Sequence, residues 1–328
     1  MGSKTIAVPV CIFIFLRERQ SLELISKIRQ VKPPRMYIVG EGYRPNRPGE
    51  KEKVQAVRNA VETAIDWPCE VKTNYVPEDI GAGRRIATGV SWVFENEQKC
   101  IFLEDDIDPD TSFFYYCEEL LNRYQEDKRI GMISGYNNLG EFDCHGDSYC
   151  YSTCGSIYGW ASWQDRWKCF DWDMKALENP DTVEAIVRRM AGDGNKGAKQ
   201  RVNGWKKAKA KIQAGSLSTW DYQWNLSRLS NGYLDIVPSK SLTQNRGIDA
   251  AATNSTSQMK LLPKRIQKVM NIRKNAISFP LKHPQYVLRN WKYDDEYLST
   301  NTMSACRRIK ESIEVRCRRL FYKSRLDH

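Results

Sequence analysis

Two rhythms of apolar and polar positions alternate through the first half of the chain. Ile6–Leu16 is an apolar, β-branched run broken only at Pro9, which predicts a buried strand. Ser21 caps a predicted helix running to about Gln30, with Leu22, Ile25 and Ile28 along one face. After Pro33-Pro34 a short strand, Met36–Val39, closes on Gly40-Glu41-Gly42. A polar loop then leads to a helical stripe of Val54, Val57, Val61 and Ile65, and Glu70–Tyr75 alternates as a strand. Gly81-Ala82-Gly83 precedes a helix with Ile86, Val90 and Val93 inward. Lys99–Leu103 is the next strand, Phe113–Tyr124 a helix and Ile130–Ser134 a strand. This strand–helix alternation predicts an α/β fold with a mostly parallel sheet and helices on both faces.

The second half has a different texture. Residues 149–173 are rich in aromatics and glycine, 181–214 read as helical with a basic stretch, and Trp220-Asp221-Tyr222-Gln223-Trp224 opens a helix ending near Asn231-Gly232. Tyr233–Val237 is a strand, and irregular sequence follows to about Thr256.

Charge divides the chain further. It carries 51 Lys+Arg and 40 Asp+Glu in 328 residues, a formal charge of +11. Residues 259–328 hold 17 of the basic and 6 of the acidic residues, so 34 of each remain in residues 1–258. The body is neutral, and the whole excess lies in a C-terminal extension. That argues against a nucleic-acid-binding body. The expected organisation is a domain over 1–258, with halves of about 1–140 and 141–258, followed by the basic extension 259–328. Apolar and basic positions at helical spacing between Arg307 and Arg325 make the tail a candidate for an anionic membrane surface.

Ile6–Leu16 is too short to span a bilayer, and Arg17-Glu18-Arg19 replaces the small residues that follow a signal sequence. The expected setting is cytoplasmic, peripheral at the inner face of the plasma membrane. Ten cysteines include a cluster at Cys144, Cys150, Cys154 and Cys169, but no C-x-x-C pair; free thiols are the expectation.

The sharpest chemical feature is Phe102-Leu103-Glu104-Asp105-Asp106-Ile107-Asp108-Pro109, a buried strand running into adjacent carboxylates. In open parallel sheets ligands collect at the carboxyl ends of strands. Adjacent carboxylates repel unless a cation joins them, and oxygen-only ligands suit magnesium, manganese or calcium. Ile101–Asp106, with Ser112-Phe113-Phe114 and Glu118-Glu119-Leu120 behind it, resembles the metal-binding segment of GT-A-fold glycosyltransferases. In pattern it is similar to bacterial family 2-like sugar transferases and N-acetylglucosaminyltransferase I.

The resemblance implies a GT-A fold and a metal-dependent, inverting transfer from a nucleotide-diphosphate sugar, UDP-linked by expectation, to a glycan or lipid-linked acceptor in cell-surface polysaccharide synthesis. Glu104-Asp105-Asp106 stands for the family's D-x-D motif. Asp106 is implied as the direct ligand of Mn²⁺ or Mg²⁺, with Glu104 and Asp105 orienting sugar and ribose. Arg17, Glu41, Gly83 and Arg84 match donor-side positions, Glu41 departing from the family's aspartate. Asp221, an acid flanked by aromatics whose desolvation would suit proton transfer, matches the catalytic base. Gly159 and Trp160 match an acceptor-side pair, the indole offering a flat face to a sugar. Asn245-Arg246-Gly247-Ile248 and Ala251–Asn254 resemble a loop closing over the donor, with Asn254 where relatives often carry histidine. Lys282 and His283 are weaker matches to diphosphate contacts. Two rivals stand beside this reading: a nucleotidyltransferase of related fold, and a non-catalytic glycan-binding module, which would need neither the acids nor Asp221.

Overall fold

The structure is a computed structural model that describes residues 5–191, 196–247, 267–269, 271–302 and 314. Its centre is an eight-stranded sheet in the order β3-β2-β1-β4-β8-β6-β9-β7. The strands are β1 (Val10–Ile14), β2 (Arg35–Gly40), β3 (Glu70–Tyr75), β4 (Lys99–Glu104), β6 (Ile130–Ser134), β7 (Tyr149–Ser152), β8 (Trp160–Trp163) and β9 (Leu234–Pro238). The pairings β3–β2, β2–β1, β1–β4 and β6–β9 are parallel, while β8 and the edge strand β7 run the other way.

The parallel part follows from the predicted alternation. Helices α1 (Glu18–Ile28), α2 (Glu50–Thr63) and α3 (Ala82–Asn96) each return the chain so that the next strand runs the same way. All five residues of β1 are buried, as a strand covered on both faces must be. Leu24, Ile25 and Ile28 of α1 and Val54, Val57 and Val61 of α2 are buried as well.

Short strands within the aromatic stretch carry a weak periodic signal, and β7 and β8 were not anticipated from it. β8 inserts antiparallel between β4 and β6, pairing Phe102 with Trp160 and Ser134 with Trp160. A two-stranded ribbon lies beyond the main sheet: β5 (Ile107–Pro109) pairs antiparallel with β10 (Thr243–Asn245). Helix α4 (Thr111–Arg123) follows, with the Asp110 side chain accepting from the Ser112 N–H as its cap.

The helical region 181–214 forms two helices, α6 (Pro180–Ala191) and α7 (Lys196–Gln213), after the short α5 (Gln164–Trp167). Then come α8 (Asp221–Ser230) and α9 (Trp291–Asn301). Residues beyond the boundary drawn at 258 pack onto the body. Leu281 joins the main core, Tyr293 and Leu298 are buried, and Asp294 is fully buried. Asp294 accepts from Thr153 N–H (3.0 Å) and Thr153 Oγ1 (2.7 Å), and binds Arg289 (2.5 Å). Of the basic tail expected to meet a membrane, residues 303–313 and 315–328 lie outside the described residues. Among those described, no helix is long and apolar enough to cross a membrane. The eight described cysteines are free.

Candidate functional site

The carboxyl ends of β1, β2 and β4 open onto one cavity of about 490 Å³, within the range of small-ligand sites. Phe13 to Arg17 form one wall, Val39 and Glu41 a second, and Glu104 to Asp106 a third. Parallel register makes this convergence unavoidable. Phe13 is level with Glu104, and Ile14 with Gly40, so three strand ends deliver their next residues to the same edge.

Arg17 leaves the end of β1 and bridges the acids. Its Nη1 donates to Asp105 Oδ1 (2.8 Å) and to Asp106 Oδ2 (3.0 Å). One guanidinium does not neutralise three carboxylates. Burial, then the charges of Asp106, Asp105 and Asp221, push Glu104 up to about 8. Burial pushes Asp105 up to about 6 against the pull of Arg17, and it raises Asp106 as well. These are short of positive charge. Among the described residues no three His, Cys, Asp or Glu side chains converge as a closed metal cage. Two adjacent carboxylates facing an open cavity are the donor set a magnesium-like ion uses when substrate phosphates complete its shell.

The ribbon locks this turn. Arg246 N–H donates to the Asp106 carbonyl (2.7 Å), and a Cβ on Gly247 would lie 2.4 Å from Asp106 Oδ2. The first part of the expected donor loop, Asn245-Arg246-Gly247, is therefore seated on the acidic turn. Asn254 and the rest of that loop lie outside the described residues. Asp108 is buried and held by Arg246 and Lys274.

Glu41 is buried, and its Oε1 accepts from Gly42 N–H (2.9 Å) and Ile80 N–H (3.2 Å). Among the described residues its Oε2 has no hydrogen-bond partner, and burial raises its pKa. The glycine beside it is needed for close approach, since a Cβ on Gly42 would lie 2.3 Å from the Glu78 carbonyl carbon.

The helix that follows β3 corrects one assignment and reinterprets another. Arg84 turns out of the cavity. It lies over Trp172 (5.3 Å to the ring centroid) and lines a separate hollow of about 570 Å³ with Lys209. Its neighbour Arg85 is the one that lines the acidic cavity, donating to the Gly40 carbonyl (3.0 Å) and to Asn74 Oδ1 (2.7 Å). Helical phase held this signal: Gly89, one turn on, packs against Val39 and Phe13, so its side of α3 faces the sheet. Gly83 is a close-packing residue. A Cβ there would lie 2.4 Å from Thr219 N, and its own N–H donates to Ser218 Oγ (3.1 Å).

That contact positions Asp221, the first residue of α8. Thr219 Oγ1 donates to its carboxylate, and the Asp221 charge is felt at Glu104. Trp220 and Trp224 lie in the core, so the aromatic pair flanking Asp221 anchors the helix instead of covering the acid.

The acceptor assignment at Trp160 is overturned. Trp160 is 2% exposed, stacked on Phe102 (4.5 Å) and packed against Trp167, Trp220 and Trp224. A central strand position flanked by β4 and β6 leaves no free indole face. Gly159 is required by its φ of +79° and by Thr243 Cγ2, 2.7 Å from where a Cβ would sit. Beside this pair, Tyr158 is half-buried within the electrostatic reach of the acids. Burial and the charges of Asp221, Glu104 and Asp106 push its hydroxyl up to about 12.

Lys282 and His283 do not reach the cavity. His283 bonds Tyr149 OH (2.9 Å) and Glu119 (3.1 Å), eight residues along α4 from its start and so about 12 Å away along the axis. Lys282 makes backbone bonds to Ser148.

No family model and no curated protein matches the chain. Solved structures that resemble it include UDP-glucose pyrophosphorylase complexed with UDP-glucose and its apo form. Each is 10% identical over 77% of this chain, covering 99% and 98% of theirs, with a TM-score of 0.38. At that distance the likeness carries no argument about this chain's activity.

Proposed function

We propose that the chain is an enzyme acting on nucleotide-diphosphate sugars, and that it transfers the sugar, hexosyl or N-acetylhexosaminyl, to a hydroxyl of a glycan or lipid-linked acceptor in cell-surface polysaccharide synthesis. The observation that carries this reading is the charge-deficient trio Glu104-Asp105-Asp106 on the wall of one cavity, with the charge of Asp221 acting on Glu104 and an acceptor oxygen of Glu41 unpartnered among the described residues. A UDP-sugar matches that oxygen, because a uracil imide presents the N–H it lacks. Asp106, with Asp105 beside it, would hold Mn²⁺ or Mg²⁺. Such an ion offsets the charge that develops on a departing nucleoside diphosphate.

The chain's own residues supply the rest. Arg17 bridges Asp105 and Asp106 and presents its remaining N–H groups toward the diphosphate. Glu41 orients the base. Asp221 accepts the proton of the attacking hydroxyl, and inversion follows because the nucleotide leaves from the opposite face. The membrane face and the basic tail belong to the same reading, bringing the body to a lipid-linked acceptor.

Nucleotidyl transfer, the second reading, fits the acidic trio and the cavity equally well, since both reactions need a cation on a nucleoside phosphate. Asp221 is what favours sugar transfer. Pyrophosphate is already an ionised nucleophile and needs no base, whereas an acceptor hydroxyl does. The deciding experiment incubates the protein with UDP-sugars and Mn²⁺. Sugar transfer releases UDP and is lowered about 10²–10⁴-fold in Asp221→Asn. Pyrophosphate-dependent formation of UTP, unaffected by Asp221→Asn, would establish the rival instead.

A further inference from the structure

Six large apolar side chains are exposed among the described residues, and four of them fall between residues 279 and 291: Phe279 (39%), Tyr286 (64%), Leu288 (70%) and Trp291 (48%). Scattered exposed apolar residues are ordinary, but a cluster marks an interaction surface. The local backbone makes the exposure deliberate. Leu288 N–H donates to the Tyr286 carbonyl (3.0 Å), a turn about Val287, whose side chain packs onto the main core. Tyr286 and Leu288 are left on the outer side.

Trp291 begins α9 and lines the same shallow hollow as Leu288. Its ring is pinned by Arg289, whose guanidinium lies 3.6 Å from the ring centroid while its Nε binds the buried Asp294 (2.5 Å). The protein thus fixes these apolar groups in an outward position.

Charge identifies what they meet. Residues 271–292 contain Arg273, Lys274, Lys282, Arg289 and Lys292 and no acid, with Lys274 bound to Asp108 and Arg289 to Asp294. Lys282 and Lys292 are exposed in the same segment, and Lys292 lines the hollow with Leu288 and Trp291. Acids in the same region are Asp147, in the hollow, the buried Asp294 held by Arg289, and Asp295 and Glu296, exposed on α9. Tyrosine, tryptophan and leucine accompanied by lysine are the side chains that settle at the headgroup level of an anionic bilayer.

We infer that Tyr286, Leu288 and Trp291, with Lys282 and Lys292, form a docking surface for an anionic phospholipid bilayer. It needs neither the sugar-transfer reading nor the residues beyond 302 as its anchor.

The test is co-sedimentation of the full chain with vesicles of phosphatidylcholine mixed with phosphatidylglycerol, against vesicles of phosphatidylcholine alone. The unaltered chain binds the mixed vesicles and not the neutral ones. The triple variant Tyr286→Ser/Leu288→Ser/Trp291→Ser, tail intact, binds about tenfold more weakly or worse, with an unchanged thermal transition. Leu288→Asp alone, at the most exposed site, moves the same way if the triple variant does not fold.

Mixed-vesicle binding that is absent, equal on neutral vesicles, or unchanged in these variants overturns the proposal. A vesicle-free dimer dispersed by the triple variant would assign the surface to a second copy of the chain and also overturn it.

Discussion

Replacing Asp105 by asparagine should stabilise the cation-free protein at neutral pH while removing its response to cations. Burial holds the Asp105 carboxyl at about 6, two units above its ordinary 3.8. The folded chain therefore grips this proton more tightly than the unfolded chain does. Stability from this group is full below about pH 4 and is lost as pH rises through 6. Two units correspond to about 3 kcal/mol, complete by about pH 8 and roughly half developed at pH 5. Asparagine keeps an oxygen for its bonds but forfeits an ion pair with Arg17. The Arg17 side chain is 41% exposed, so that loss is under about 1 kcal/mol.

The net expectation is about 2 kcal/mol of added stability at pH 8, or about 3 °C in a thermal transition, and less at pH 5. Unfolding of both proteins in EDTA at the two pH values checks it. With Mn²⁺ present the order reverses, because the unaltered site gains a partner that the variant binds poorly. Equal destabilisation by Asp105→Asn at pH 5 and pH 8 would refute the reasoning that this carboxylate is held short of positive charge.

Other expectations follow from the same geometry. Trp160→Ala should lose about 3–5 kcal/mol in urea unfolding, while Trp160→Phe keeps the acceptor KM, as a core residue requires. Asp235→Ala should cost about 3–5 kcal/mol, because Arg228, bonded to Asp235 at 2.7 and 3.0 Å, would stay buried without its partner. Gly83→Ala should lower kcat with little change in donor KM and cost about 1–3 kcal/mol, since the added Cβ meets the Thr219 backbone that sets Asp221.

The parallel half of the fold was legible because each of its strands is an apolar run and each helix carries a stripe, so period alone separates them. Legibility ended where strands are short. Tyr149–Ser152 and Trp160–Trp163 have four residues each, and their aromatics read as surface chemistry instead of sheet interior. The sequence brings the acidic trio, Arg17 and Glu41 to one cavity because each lies at or just beyond the end of a predicted strand. Arg84 was chosen over Arg85 because a glycine-rich helix start shows where a helix begins and says little about which side meets the sheet. Trp160 misled for a related reason: an indole serves a sugar or a core equally well, and only its strand partners decide. Tyr158 carried no signal of its own beyond adjacency to Gly159. Lys282 and His283 were matched as a local pattern, and the length of α4 between them and the acids was invisible in it.

The most direct test of the cavity's role is a thermal-shift screen of nucleotide-diphosphate sugars against the unaltered chain and Asp106→Ala, each with Mn²⁺ and with EDTA. The expected result is stabilisation by at least one UDP-sugar that requires both Mn²⁺ and Asp106. Stabilisation that survives in EDTA and in Asp106→Ala would contradict a donor site built on the acidic turn.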